Sequence, residues 1–175
     1  MDRHVKPPLR PLAGADFQRE LEMESLRAKR GRCPLSLVLF APKFQGKNGK
    51  NTDDQELLRC IAVHASPCDS LGRLPEKRYA LVLPGAGVFR AQNIAESILQ
   101  HYENSGYNCA AGIASVELPE NTCAETLLQQ ASAALQQIQN QDGNISVYRE
   151  QAEVLSLRKT LVHSHEKRFL FSGGE

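Results

Sequence analysis

With 175 residues, 41% of them hydrophobic, the chain is long enough for one self-sufficient core and short for two. Twenty-one basic side chains against twenty acidic ones leave a formal charge of +1, which removes the electrostatic case for nonspecific binding to nucleic acid or to an anionic membrane. The start, Met1-Asp2-Arg3-His4-Val5-Lys6-Pro7-Pro8, lacks the apolar core of a signal peptide and no run approaches a membrane span, so a cytoplasmic location without direct membrane insertion is expected.

Residues 1–14 contain Pro7, Pro8 and Pro11, which disfavour helix and predict an extended lead-in. From Asp16, a residue able to cap, Phe17, Leu21, Ser25 and Ala28 share a face at helical spacing until Gly31 ends the run. Leu35-Ser36-Leu37-Val38-Leu39-Phe40 follows Pro34 and reads as a buried strand, and a polar, glycine-containing loop comes next. A second helix is predicted over 53–65, with Leu57, Leu58, Ile61, Ala62 and Ala65 on its buried side and Asp53-Asp54 at its N-terminus. Strands at Ser70–Leu74 and 78–83 flank a turn at Pro75. A helix over Val88–Asn104 uses Ile94, Ala95, Ile98 and Leu99, and a strand follows at Cys109–Val116. A helix over 122–139 comes after the Pro119-Glu120-Asn121 turn, and Asp142-Gly143-Asn144 leads into a last strand at 145–148.

Beyond it Val154, Leu157, Leu161 and His165 recur at helical spacing, which predicts an amphipathic helix. Packing on its own domain is the simpler reading of that stripe, and a partner surface formed with Phe169 is the alternative. The organisation is therefore a lead-in over 1–14, one α/β domain over 15–150, and a C-terminal amphipathic helix and tail over 151–175.

The segment Gly72-Arg73-Leu74-Pro75-Glu76-Lys77-Arg78-Tyr79-Ala80-Leu81-Val82-Leu83-Pro84-Gly85 resembles the signature hairpin of GGDEF domains, the diguanylate cyclases of bacterial cyclic-di-GMP signalling. There the pattern runs Arg, an apolar residue, Gly-Gly-Asp/Glu-Glu-Phe, Ala, three apolar residues and Pro-Gly. The flanks match, and the signature itself reads Pro75-Glu76-Lys77-Arg78-Tyr79. Pro34 with the strand that follows it resembles the family's first strand, Ala110-Ala111-Gly112-Ile113-Ala114 its Ser-Ile-Gly-Val-Ala strand, and Leu127-Leu128-Gln129-Gln130-Ala131 with Ala134-Leu135 its penultimate helix. The resemblance spans roughly 12–148 and implies a GGDEF-type palm, ferredoxin-like and nucleotide-cyclase-like, with a mostly antiparallel central sheet of about five strands covered by helices.

The resemblance also assigns roles to positions. The family's first strand ends in Asp-apolar-Asp, whose carboxylate holds the metal; aligned on Phe40 and Phe44, this chain has Ala41-Pro42-Lys43, with one residue missing. The third signature residue, a second metal carboxylate, is Lys77, so Ala41, Lys43 and Lys77 are lost metal positions. A like charge about 4 Å from a cation costs on the order of 4 kcal/mol at an effective dielectric near 20. Pro75 and Glu76 replace glycines that let the backbone approach the nucleotide. Gln139 and Gly143 stand at the positions of a Lys and an Arg that hold phosphates. Of the guanine contacts, Asn48 is in place and the acid before the second helix aligns with Gln55. The upstream Arg-x-x-Asp of the family's product site reads Ser66-Pro67-Cys68-Asp69. The reading that follows is a chain that is not an enzyme and needs no cofactor or metal: a catalytically inactive regulatory or scaffolding module acting through a protein partner or self-association. The alternative is a non-catalytic receptor for GTP or cyclic-di-GMP using Asn48, Arg73 and Arg78. Family enzymes act as facing pairs, which directs attention to the 75–79 turn and the tail.

Five cysteines, Cys33, Cys60, Cys68, Cys109 and Cys123, are odd in number and form no C-x-x-C pair, so they read as reduced and mostly buried. His163-Ser164-His165-Glu166 does not place three ligands on one helix face and reads as a solvated tail. His64 and His101 read as surface or satisfied polar residues on helices, and Gly85-Ala86-Gly87 lacks the Gly-Lys-Ser/Thr ending of a phosphate loop. Lys77 and Arg78 form either a basic turn for an acidic partner or phosphate, or a solvated turn; Tyr79 reads as core packing.

Overall fold

Strand β2 (Leu35–Pro42) sets the layering. Its alternating side chains bury Leu35, Leu37 and Leu39 on one face and Val38 and Phe40 on the other, so each face requires a covering layer. The computed structural model describes residues 10–43, 53–118, 123–138 and 143–148. Around β2 run β1 (Leu12–Ala13), α1 (Gly14–Gly31), α2 (Asp54–His64), β3 (Ser70–Leu74), β4 (Arg78–Pro84), α3 (Val88–Asn104), β5 (Cys109–Val116), α4 (Ala124–Ile138) and β6 (Ile145–Val147). The sheet order is β1-β3-β4-β2-β5-β6, antiparallel through its centre and parallel at its two outer pairs.

Leu57, Ile61, Leu71, Leu81, Ile98 and Tyr102 pack with α2 and α3 on one face; Phe17, Leu21, Val82, Leu127, Ala131 and Leu135 pack with α1 and α4 on the other. Two glycines set how close the outer layer comes. A Cβ at Gly72 would meet the Phe17 ring, and one at Gly112 would meet the Ala131 carbonyl and, at 2.5 Å, the Leu135 nitrogen. The expected mixed α/β palm is present, with six strands rather than about five. The additional strand lies inside the expected lead-in: Leu12 and Ala13 pair with Gly72 and Arg73, since the extended backbone that proline favours also suits a short edge strand.

Helix α1 begins at Gly14, before Asp16; Ala13 holds the N-cap position without a side-chain hydrogen bond, and Asp16 sits in the first turn, facing the positive end of the helix dipole. Gly31 is the last helical residue, and the left-handed position falls on Arg32, at φ 50°. Asp53 caps α2 as its sequence position suggested, accepting from the Gln55 and Glu56 N–H groups at 2.9 and 3.3 Å. All five cysteines are free, but Cys33, Cys68 and Cys123 are exposed, and only Cys60 and Cys109 face the core, which corrects the expectation of mostly buried thiols. Among the described residues no helix is long and apolar enough to cross a membrane. The predicted helix over 151–175, with Val154, Leu157, Leu161 and Phe169, lies outside the described residues.

Candidate functional site

One end of the sheet gathers most of the positions singled out in the sequence. Phe40 of β2 is in register with Tyr79 of β4 on one side and Ala111 of β5 on the other, so Ala41 runs past the pairing with β4, beside the β3–β4 turn, while it still pairs with Ala110 of β5. Lys43 follows, its N–H donating to the Asn108 carbonyl at 2.9 Å. Its ammonium donates to the Gly143 carbonyl at 2.8 Å and to Asn144 Oδ1 at 2.7 Å, tying the end of β2 to the start of β6. Two positions expected to have lost unrelated ligands therefore meet in one contact.

The turn itself is tightly wound. The Pro75 carbonyl accepts from the Arg78 N–H at 3.4 Å, and the residues between, Glu76 and Lys77, have φ of 61° and 57°. Three residues, Pro75 to Lys77, thus join Leu74 to its partner Arg78, and the two left-handed ones hold a conformation that glycine or asparagine ordinarily takes. The charges of the tip are internally matched: Arg78 Nη2 lies 3.3 Å from Glu76 Oε2, and Arg78 Nε donates to the Pro75 carbonyl at 3.3 Å. Arg78 is thus held by its own turn, which narrows the reading of a free basic turn. Tyr79 is 1% exposed and packs in the core, as expected. Ala41, Lys43 and Lys77 supply no side-chain oxygen, and the two ammonium groups would repel a cation, so the three positions that the resemblance assigns to a metal do not offer the carboxylates a divalent cation takes there.

Behind the hairpin, Asp54 occupies the first turn of α2, with its carboxylate 3.8 Å from the Arg73 guanidinium. Its Oδ1 is buried and has no hydrogen-bond partner among the described residues. Burial first, and then the Asp54 carboxylate, push the Tyr79 phenol above its ordinary range. The alignment placed the family's acid at Gln55, which is exposed; the helix turns Asp54, one residue earlier, toward the hairpin. Asp69 is nearly buried, and its carboxylate accepts from the Ser66 N–H, closing its own turn. Asn48 and Gln139 lie outside the described residues. Sequence reasoning also missed a cluster between α2 and α3: Glu56, Cys60 and His101, with His64 edge-on to His101 at 5.6 Å between ring centroids. Its visible signal was Glu56, Cys60 and His64 at four-residue steps on one helix.

No family model and no curated protein matches the chain. Solved structures do. The active GGEEF domain of a diguanylate cyclase from Vibrio cholerae superposes with a TM-score of 0.70 at 20% identity, covering 81% of this chain and 99% of that one. The GGDEF domain of DgcB from Caulobacter crescentus, in complex with c-di-GMP, gives 0.70 at 16% identity, over 86% and 98%. The diguanylate cyclase SiaD from Pseudomonas aeruginosa, in complex with its activator SiaC, gives 0.66 at 16% identity, over 79% of this chain and 59% of that one. These matches correct the expectation that the chain is not an enzyme. The fold is one that an active cyclase domain also has, and a fold by itself decides neither activity nor its absence. The sheet order, the hairpin and the helices on both faces give this chain the palm fold of GGDEF domains.

Proposed function

We propose that this GGDEF-type domain serves bacterial cyclic-di-GMP signalling as a regulatory or scaffolding partner, and that its 75–78 turn makes the protein contact. The observation that carries the reading is the turn: Glu76 and Arg78 are paired at 3.3 Å at the tip of the hairpin, with the Glu76 side chain 79% exposed, giving a charged knob of fixed shape. Such a knob suits a partner with complementary polar groups. The activator complex of SiaD offers a precedent for a cyclase of this fold working with a protein partner. The test is to titrate the purified chain into a diguanylate cyclase of the same bacterium, with GTP and magnesium, and to measure cyclic-di-GMP against the cyclase alone and the chain alone. The output of the mixture is expected to differ from the sum of the two, and the triple variant Glu76→Ala, Lys77→Ala, Arg78→Ala to restore additivity. Strict additivity with the wild-type chain overturns the proposal.

A second reading, a receptor for GTP or cyclic-di-GMP, is favoured by Asp54. The Asp54 carboxylate, beside the Tyr79 hydroxyl and the Arg73 guanidinium and with its buried Oδ1 not saturated, is an acceptor suited to the N–H edge of a base, with Arg73 near enough to meet an anion. The complex of DgcB with c-di-GMP is consistent with a nucleotide at this fold. Calorimetry with each nucleotide tests it: micromolar binding that Asp54→Asn abolishes supports the receptor, and no heat with either nucleotide removes it.

A further inference from the structure

We infer that α2 and α3 together hold a divalent cation of the zinc class, bound by Cys60, His101 and Glu56, on a face separate from the hairpin. The ligand atoms of these three residues lie within 4.8 Å of one another. Ligands around a tetrahedral zinc stand roughly 3.5 Å apart, given metal bonds of about 2.0–2.3 Å. Closure therefore takes side-chain movement of about an ångström and none of the backbone. A sulfur, an imidazole nitrogen and a carboxylate oxygen form a donor set that zinc takes and magnesium does not.

The surroundings fit as well. Glu56 Oε1 accepts from the Ser105 hydroxyl at 2.9 Å, which fixes the carboxylate, and its other oxygen meets Arg59 at 2.9 Å. The Arg59 side chain is 71% exposed and can swing into solvent when the metal replaces it. His64 stands edge-on to His101 beside the three ligands, and the fourth position is left to water. A shallow groove lined by His64, Gln100, His101 and Asn104 opens on the His101 side of the site. Binding replaces the Cys60 S–H bond by a sulfur–metal bond and releases one proton to solvent. The ion then cross-links α2 to α3.

The experiment uses cobalt(II) with the full-length chain, reduced by a non-chelating phosphine, because a thiolate–cobalt bond gives a charge-transfer absorption that carboxylate or histidine ligation alone does not. One equivalent is expected to produce the band, zinc to displace it, and zinc to raise the melting temperature. Cys60→Ser is expected to lose the band, and His101→Ala to weaken binding about tenfold or more. Should the serine variant fail to fold, the half-exposed His101→Ala decides alone. A wild-type chain without the band, or a band that survives in the folded variants and so comes from other cysteines, overturns the inference.

Discussion

Lys77→Gly is expected to stabilise the fold. Lys77 sits at φ 57°, in the left-handed region where a side chain costs about 1–2 kcal/mol. Glycine removes that cost, while the added freedom it gives the unfolded chain returns about 0.5–1 kcal/mol. The net gain is about 0.5–1 kcal/mol, which for a domain of this size raises the melting temperature by roughly 1–4 °C. Glu76→Gly, at φ 61°, should gain less, because it also removes the exposed ion pair to Arg78, worth under about 1 kcal/mol. Lys77→Ala is the control, since it deletes the charge and keeps a Cβ in the strained region. Reversible thermal unfolding by circular dichroism reads all three. A Lys77→Ala variant as stable as Lys77→Gly would make charge the cause, and a destabilised glycine variant would refute the turn geometry outright.

Gly112→Ala should destabilise by about 3 kcal/mol or more in a denaturant titration, because its Cβ would press on the backbone of α4 at Ala131 and Leu135. Gly72→Ala meets only the Phe17 ring, so Phe17→Leu should rescue part of its loss in a double-mutant cycle. Lys43→Ala should cost little global stability yet speed hydrogen exchange at the Ala111 amide, which donates to the Asn144 carbonyl at the anchored start of β6. A thiol reagent at pH 7.5 should label Cys123 fastest, since hydrogen bonds from Thr126 lower its pKa, and should spare Cys60 and Cys109. Burial pushes those two thiols up to about 11 and about 12, so the fold retains their protons longer than the unfolded chain does. Their contribution is full below about pH 9 and is lost as pH climbs through those values, and an alkaline unfolding series should steepen there.

The elements legible from sequence were those whose pattern is local. The apolar run of β2, the flanks of the hairpin and the helical spacing of Ile94, Ala95, Ile98 and Leu99 each carry their own period, and the structure places them at or within a few residues of the predicted bounds. Leu12–Ala13 escaped because two residues hold no period; only pairing with β3 defines them. The site was harder for the same physical reason. Lys43 meets Gly143 and Asn144 about one hundred positions later, a contact that neither segment announces. Asp54 and Gln55 are adjacent in sequence, and only the helix phase settles which of the two faces Arg73. Cys60 and His64 shared a readable stripe with Glu56, but its meaning depends on His101, supplied by a different helix.

The most direct test of the central claim is association. Sedimentation velocity of the full-length chain, alone and mixed with the GGDEF domain of a cyclase from the same bacterium, should compare the wild type with the triple variant Glu76→Ala, Lys77→Ala, Arg78→Ala. The account predicts a self-associated or mixed complex for the wild type that the triple variant loses while remaining folded. A triple variant that associates as the wild type does would contradict it.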